Sequence, residues 1–251
     1  MWVVSALLLL QGCGEGARST PALTVLAAAS LSEVFSELEE AYEQAHSGLD
    51  VQVSLAGSQV LATQVRYGIS ADVFASANAQ HVEDLIAEGL LEDGRVFASN
   101  ALVLALSDAW EGSGELKNLT EVGSLVLGTP ESPIGRYTER FLEAAGGVYG
   151  ADWLKAVRSR VVSRESNVRL AAAKVILGEA DAAIVYATDC LGQEAMRCVS
   201  LPEDLAPRVA YHQARLVHGP ASGRALAWME FVESRAGLEV LQRFGFGGSA
   251  P

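Results

Sequence analysis

The sequence predicts an α/β protein of two lobes, each a mostly parallel sheet flanked by helices, joined by two crossings so that a cleft lies between them. Three observations carry this expectation: strand and helix patterns alternate, the alternation occurs twice, and two apolar runs stand where the chain passes from one set to the other. Taken in order, Leu23 to Ala29 is a short apolar run, a strand. Leu31 to His46 repeats apolar residues at Leu31, Val34, Phe35, Leu38, Ala41, Tyr42 and Ala45 with carboxylates between them, the period of an amphipathic helix. Val51 to Ala56 reads as a strand, Gln59 to Tyr67 as a helix ended by Gly68, and Asp72 to Ala77 as a third strand. The second set comprises Ser124 to Gly128 (strand), Tyr137 to Ala145 and Val168 to Leu177 (helices) and Ala182 to Ala187 (strand). Ala101 to Ser107 is the first crossing run and Ala210 to His218 the return. Gly223 to Phe244 is then a long helical stretch that packs back on the first sheet. The expected limits are residues 1–21 for a leader and linker, 22–103 with 210–251 for one lobe, and 104–209 for the other.

The 251 residues carry 18 Lys and Arg against 31 Asp and Glu, a net charge of −13, and half of them are hydrophobic. That apolar content excludes intrinsic disorder, because burial can offset chain entropy. An acidic chain with no basic cluster has no means of gripping a phosphodiester backbone, so nucleic acid is excluded as a partner.

Trp2 to Leu10 is almost wholly apolar but far shorter than the roughly 20 residues a membrane span needs. With Leu10-Gln11-Gly12-Cys13 and a small, polar stretch behind it, the segment reads as an export signal that resembles a bacterial lipobox, Cys13 being the candidate for lipid attachment. The expected location is therefore the periplasm or the outer side of the cell membrane. In such an oxidising compartment Cys190 and Cys198 read as a small disulfide loop, with inert thiols as the alternative.

The chemistry is expected at four helix starts. Ser30 ends the first strand and, with Glu33, has capping-box spacing; Ser58 follows Gly57; Pro133-Ile134-Gly135 and Ser166-Asn167 precede two further helices. Singly, Ser30, Ser58 and Asn167 read as caps of their own helices. Together, several N-termini at the carboxyl ends of parallel strands form an anion site without a basic side chain. Tyr186, near the end of its strand, adds a hydroxyl donor. Arg136 and Arg169 lie close by and read as surface or ion-paired groups.

Ala27 to Leu31, Ala56-Gly57-Ser58, Ala71 to Ala77, Phe97 to Leu104, Gly178 to Ala182 and Ile184 to Asp189 together resemble the molybdate-binding proteins of bacterial ABC transporters, in order from about Leu23 to Phe246. The resemblance implies a type II periplasmic-binding-protein fold that closes over molybdate or tungstate and delivers it, as a monomer, to a membrane permease. It implies the ligand set Ser30, Ser58, Ile134, Val168 and Tyr186, with no cofactor and no direct cation ligand. The middle of the Pro-x-Gly loop is usually small in that family and is Ile134 here. The alternatives are a binder of another oxyanion such as sulfate, of ferric ion or of an organic anion. An enzyme is not expected, because no histidine base accompanies Ser30 or Ser58 and no Gly-x-Ser-x-Gly occurs. His46 and His81 fall on helical segments read as solvated. His212 and His218 share a proposed strand with no third ligand nearby.

Overall fold

The computed structural model describes residues 22–248; the leader and Cys13 lie outside the described residues. The first lobe contains β1 (Ala22–Ala28), α1 (Ser32–Ala45), β2 (Asp50–Ala56), α2 (Ser58–Arg66), β3 (Val73–Ser76), α3 (Ala79–Ala87) and β4 (Leu91–Asn100). The second contains β5 (Leu102–Ser107), β6 (Leu125–Gly128), α4 (Pro133–Tyr149), α5 (Ala151–Ser159), β7 (Val161–Glu165), α6 (Val168–Ile176), β8 (Ala182–Tyr186) and β9 (Met196–Ser200). The chain then returns to the first sheet through β10 (Val209–Leu216) and ends in α7 (Ser222–Glu233) and α8 (Arg235–Arg243).

Each sheet has five strands, in the orders β2-β1-β3-β10-β4 and β7-β6-β8-β5-β9. Strand β10 runs antiparallel to both neighbours in the first, and β5 does so in the second, the other strands of each sheet sharing one direction. This two-lobed arrangement is the type II binding-protein architecture. Strands β3, β5, β6 and β8 are buried along their whole length. Helices cover both faces of such strands, which is why they read as continuous apolar runs.

The first lobe's core holds an aromatic cluster. Phe35 of α1 packs against Phe97 of β4 and Trp228 of α7, with ring centroids 6.0 Å apart in both pairs. Trp228 also meets Tyr42 edge-on at 5.3 Å. These contacts bury the apolar stripe of α1 and fix its N-terminus beside the end of β1.

Three sequence expectations need correction. The first crossing falls at Ala101, because Leu102 already pairs with Tyr186 in the second sheet; that sheet's strands end at Ser200, and Val209 belongs to the first. The stretch from 223 to 244 is two helices, broken at Ser234, whose hydroxyl accepts from the Gly237 N–H at 3.3 Å and starts α8. His218 lies beyond the end of β10, so it shares no strand with His212. Strands β4, β7 and β9 escaped the pattern because they are sheet edges, where charged residues such as Glu92, Arg164 and Arg197 are tolerated on an open side.

Candidate functional site

At the carboxyl ends of β1, β3, β6 and β8 the lobes enclose a cavity whose volume, for the centre of a water-sized sphere, is ≈ 20 Å³. Ser30, Ser58, Ile134, Val168 and Tyr186 all line it. Wider hollows elsewhere, such as one of ≈ 460 Å³ beside Val60, Thr63 and Tyr67, are open surface grooves.

Neither serine caps its helix. Ser30 sits in a 3-10 turn, Ala29–Leu31, and the N-cap of α1 is Leu31 without a side-chain cap, so the expected Ser30–Glu33 capping box is absent. Ser58 is the first residue of α2 behind the N-cap Gly57. Both hydroxyls instead accept from protein donors. Asn100 Nδ2 donates to Tyr211 Oη at 3.5 Å, Tyr211 Oη donates to Ser30 Oγ at 3.0 Å, and the Ala77 N–H donates to Ser58 Oγ at 3.2 Å. With its oxygen served in this way, each serine has its own hydrogen left to donate toward the cavity. Burial pushes the Tyr211 phenol well above its ordinary value, which keeps it protonated as a donor.

Backbone accounting singles out further donors. At the start of α4, Pro133 has no N–H, Gly135 N–H is taken by Ser132 Oγ at 3.1 Å and Arg136 N–H by the Ser132 carbonyl at 3.0 Å. The N–H left over is that of Ile134. In α6, Asn167 Oδ1 accepts from Leu170 N–H at 3.1 Å, and Val168, the first helical residue, keeps its N–H at the cavity. Asn167 is thus the one candidate that does cap its helix. One branch of the Ile134 side chain, Cγ2, lies against Gly128 at the end of β6.

Tyr186 completes the set. Its ring is buried at 1% exposure and its hydroxyl has no hydrogen-bond partner among the described residues. Burial, then the neighbouring Tyr211, Tyr137 and Asp189, push its pKa well up, so the group is a neutral O–H donor. Such an orphan costs about 1–3 kcal/mol unless a ligand accepts from it. Asp189 Oδ2 accepts from the Tyr186 N–H at 3.0 Å and fixes the turn. Burial raises the Asp189 carboxyl to about 6 against the opposing pull of Arg169.

The lobes touch around the cavity. Gln59 Nε2 donates to the Ser166 carbonyl at 2.6 Å, His81 Nε2 contacts the Glu131 carbonyl at 3.2 Å, and Arg169 pairs with Glu33. A Cβ on Gly57 would stand 2.5 Å from the Ser166 oxygen, so only glycine permits this approach. His81 is buried, at 6% exposure, and burial lowers its pKa; the solvated reading of this residue was wrong. Arg136 is exposed, and Arg169 is ion-paired away from the cavity lining. Cys190 and Cys198 are joined by a disulfide, Cα atoms 6.3 Å apart. Among the described residues no group of three His, Cys, Asp or Glu could hold a metal ion.

Sequence reasoning missed Tyr211, Asn100 and Asp189 as supports of the site. Asn100 and Asp189 lie within the segments that carried the resemblance, but nothing in the spacing brings Tyr211 to Ser30, 181 residues away.

A two-lobed fold with a donor-lined cavity between the lobes defines a binding protein. Residues 23–247 match the model of the bacterial extracellular solute-binding proteins, and the chain belongs to that family. It is 33% identical over 239 residues to the molybdate-binding protein ModA of Mycobacterium tuberculosis, covering 94% of this chain and 87% of the relative. The substrate-binding domain of a putative molybdenum ABC transporter from Clostridium difficile superimposes with a TM-score of 0.70 at 26% identity, covering 91% of this chain and 99% of that one. The sulfate-binding protein SubI of M. tuberculosis superimposes with a TM-score of 0.80 at 18% identity, covering 92% and 88%. The last likeness is one of fold alone. The family consists of exported binding proteins of transport, not of enzymes.

Proposed function

We propose that the protein captures one molybdate or tungstate ion in this cavity and delivers it to the membrane permease of an ABC transporter. Ser30 and Ser58 act through hydroxyl donors, Ile134 and Val168 through backbone N–H groups, and Tyr186 through its phenol. The observation that carries the reading is the chemistry of the lining: among the described residues no Asp, Glu, His, Lys or Arg lines the cavity, and its polar groups converge as donors. A tetrahedral dianion without protons accepts from all of them. Phosphate brings an O–H that would face donors, at a cost of about 1–3 kcal/mol. The cavity is also far below the roughly 300–1,000 Å³ typical of sites for organic ligands. Sulfate shares the proton-free character, so its exclusion rests on size: fixed donors cannot all reach a smaller anion at once.

Calorimetric titration of the mature chain with molybdate, tungstate, sulfate and phosphate tests the reading. Tight binding of the first two alone is expected. Equal affinity for sulfate, or no binding of any, refutes it.

The reading extends to three features of the whole molecule. The protein works as a monomer of two lobes, residues 22–101 with 209–248 and residues 102–208, that rotate about the crossings. It is held at the membrane by a lipid on Cys13. Cys13→Ser should move it from the membrane fraction to the soluble one, and an unchanged distribution counts against the anchor.

A further inference from the structure

Arg169 is a charged group that ties together three parts of the site without lining the cavity. It follows Val168 in the first turn of α6, on the second lobe. One nitrogen of its guanidinium, Nη2, pairs with Glu33 Oε2 in the first turn of α1, on the first lobe. Its Nε lies 3.3 Å from Asp189 Oδ1, off the hydrogen-bond direction, so this contact is an ion pair only. Asp189 is fully buried and its other oxygen holds the Tyr186 N–H at 3.0 Å.

The two pairs differ in kind. Asp189 and Arg169 belong to the same lobe, so their contact survives any opening of the cleft. Glu33 and Arg169 stand on different lobes, so an opening of the cleft would draw them apart. Asp189 therefore pre-orients the planar guanidinium, and little side-chain entropy remains to be lost when Glu33 arrives. An exposed Arg–Glu pair without such a brace is worth little, because two long side chains must be ordered for it. Here Arg169 is 29% exposed and one partner is buried outright.

We propose that Glu33, Arg169 and Asp189 form a closure latch that sets how long the loaded protein holds its anion, Arg169 acting as a positioning residue with no contact to the ligand. This rests on the oxyanion-binding reading above. The latch joins the residues next to the anion donors: Glu33 is three residues beyond Ser30, Arg169 follows Val168, and Asp189 is three beyond Tyr186. Opening the cleft must break the Glu33 pair, whereas capture by the open form makes no use of it. The consequence is a change in release without a change in capture.

The test measures the rates of binding and release of radiolabelled molybdate, release being followed in excess unlabelled anion, for the wild type, Glu33→Gln and Arg169→Lys. Thermal midpoints of the free and loaded forms are recorded alongside. Glu33→Gln should release the anion about 3- to 10-fold faster with an unchanged binding rate, and should lower the midpoint of the loaded form alone. Arg169→Lys, which keeps the charge but loses the fork, should fall between. Unchanged release from Glu33→Gln overturns the latch, as does an equal loss of stability in the free and loaded forms, which marks a merely structural pair. Failure of the wild type to bind molybdate is read before any variant is compared and overturns the binding reading, and the latch with it.

Discussion

Replacing Tyr186 by phenylalanine removes a single oxygen from a site that otherwise keeps its shape. In the structure that oxygen is buried and has no partner among the described residues. A hydrogen bond from it to a dianion is charge-assisted and worth about 1.5–3 kcal/mol, which corresponds to an affinity loss of about 10- to 150-fold. The free protein should behave differently. Deleting an unpaired hydroxyl removes no internal hydrogen bond, so the unfolding midpoint of the ligand-free variant should be unchanged or slightly raised. Calorimetric titration with molybdate gives the first quantity and thermal unfolding without ligand the second. An affinity within threefold of the wild type would show that the phenol does not face the anion. A free midpoint lowered by several degrees would show that the hydroxyl has an internal partner, and the accounting of donors would fall with it.

Further outcomes follow from the same geometry. Gly57→Ala should cost most of the affinity, because its Cβ would stand 2.5 Å from the Ser166 carbonyl oxygen and hold the lobes apart; the fold of the free protein, checked by its unfolding midpoint, should be intact. Ligand-free stability should depend on pH through Asp189, whose carboxyl rises from 3.8 to about 6 on folding. The folded state then holds the proton more tightly, so this stabilisation is present below about pH 4 and is lost as pH rises through 6. The span is about 3 kcal/mol. Chemical unfolding of the free protein at pH 4.5 and 7 should show Asp189→Asn losing this slope, and an equal slope in both proteins would count against the burial argument.

Much of the architecture was legible because periodicity survives without tertiary context. The stripe of α1 from Val34 to Tyr42 and the apolar runs of β1, β3 and β8 follow directly from what each must bury. The edge strands β4, β7 and β9 were not legible, since a strand with one open side carries charged residues that break the pattern. The break between α7 and α8 was hidden for another reason: Ser234 reads as an ordinary helical residue until its hydroxyl is seen to accept from Gly237. His81 misled because an imidazole on a helix reads as solvated, while in the fold it is buried with its Nε2 against the Glu131 carbonyl of the second lobe.

The sequence by itself determined the candidate donors: hydroxyls at Ser30, Ser58 and Tyr186, and helix starts near Pro133 and Val168, placed where parallel strands end. Local chemistry dictates these, because a turn residue and the first turn of a helix are written within a few positions of each other. Only the tertiary structure decided how they are used. That the serines do not cap, that Tyr211 feeds Ser30 from 181 residues away and that Gly57 rests on Ser166 depend on chain segments remote in sequence. The net charge of −13 marks the same division. Composition sets it and forbids long-range attraction of a dianion, while a cavity lined by oriented, uncharged donors, brought together by two sheets, provides the short-range field that composition lacks.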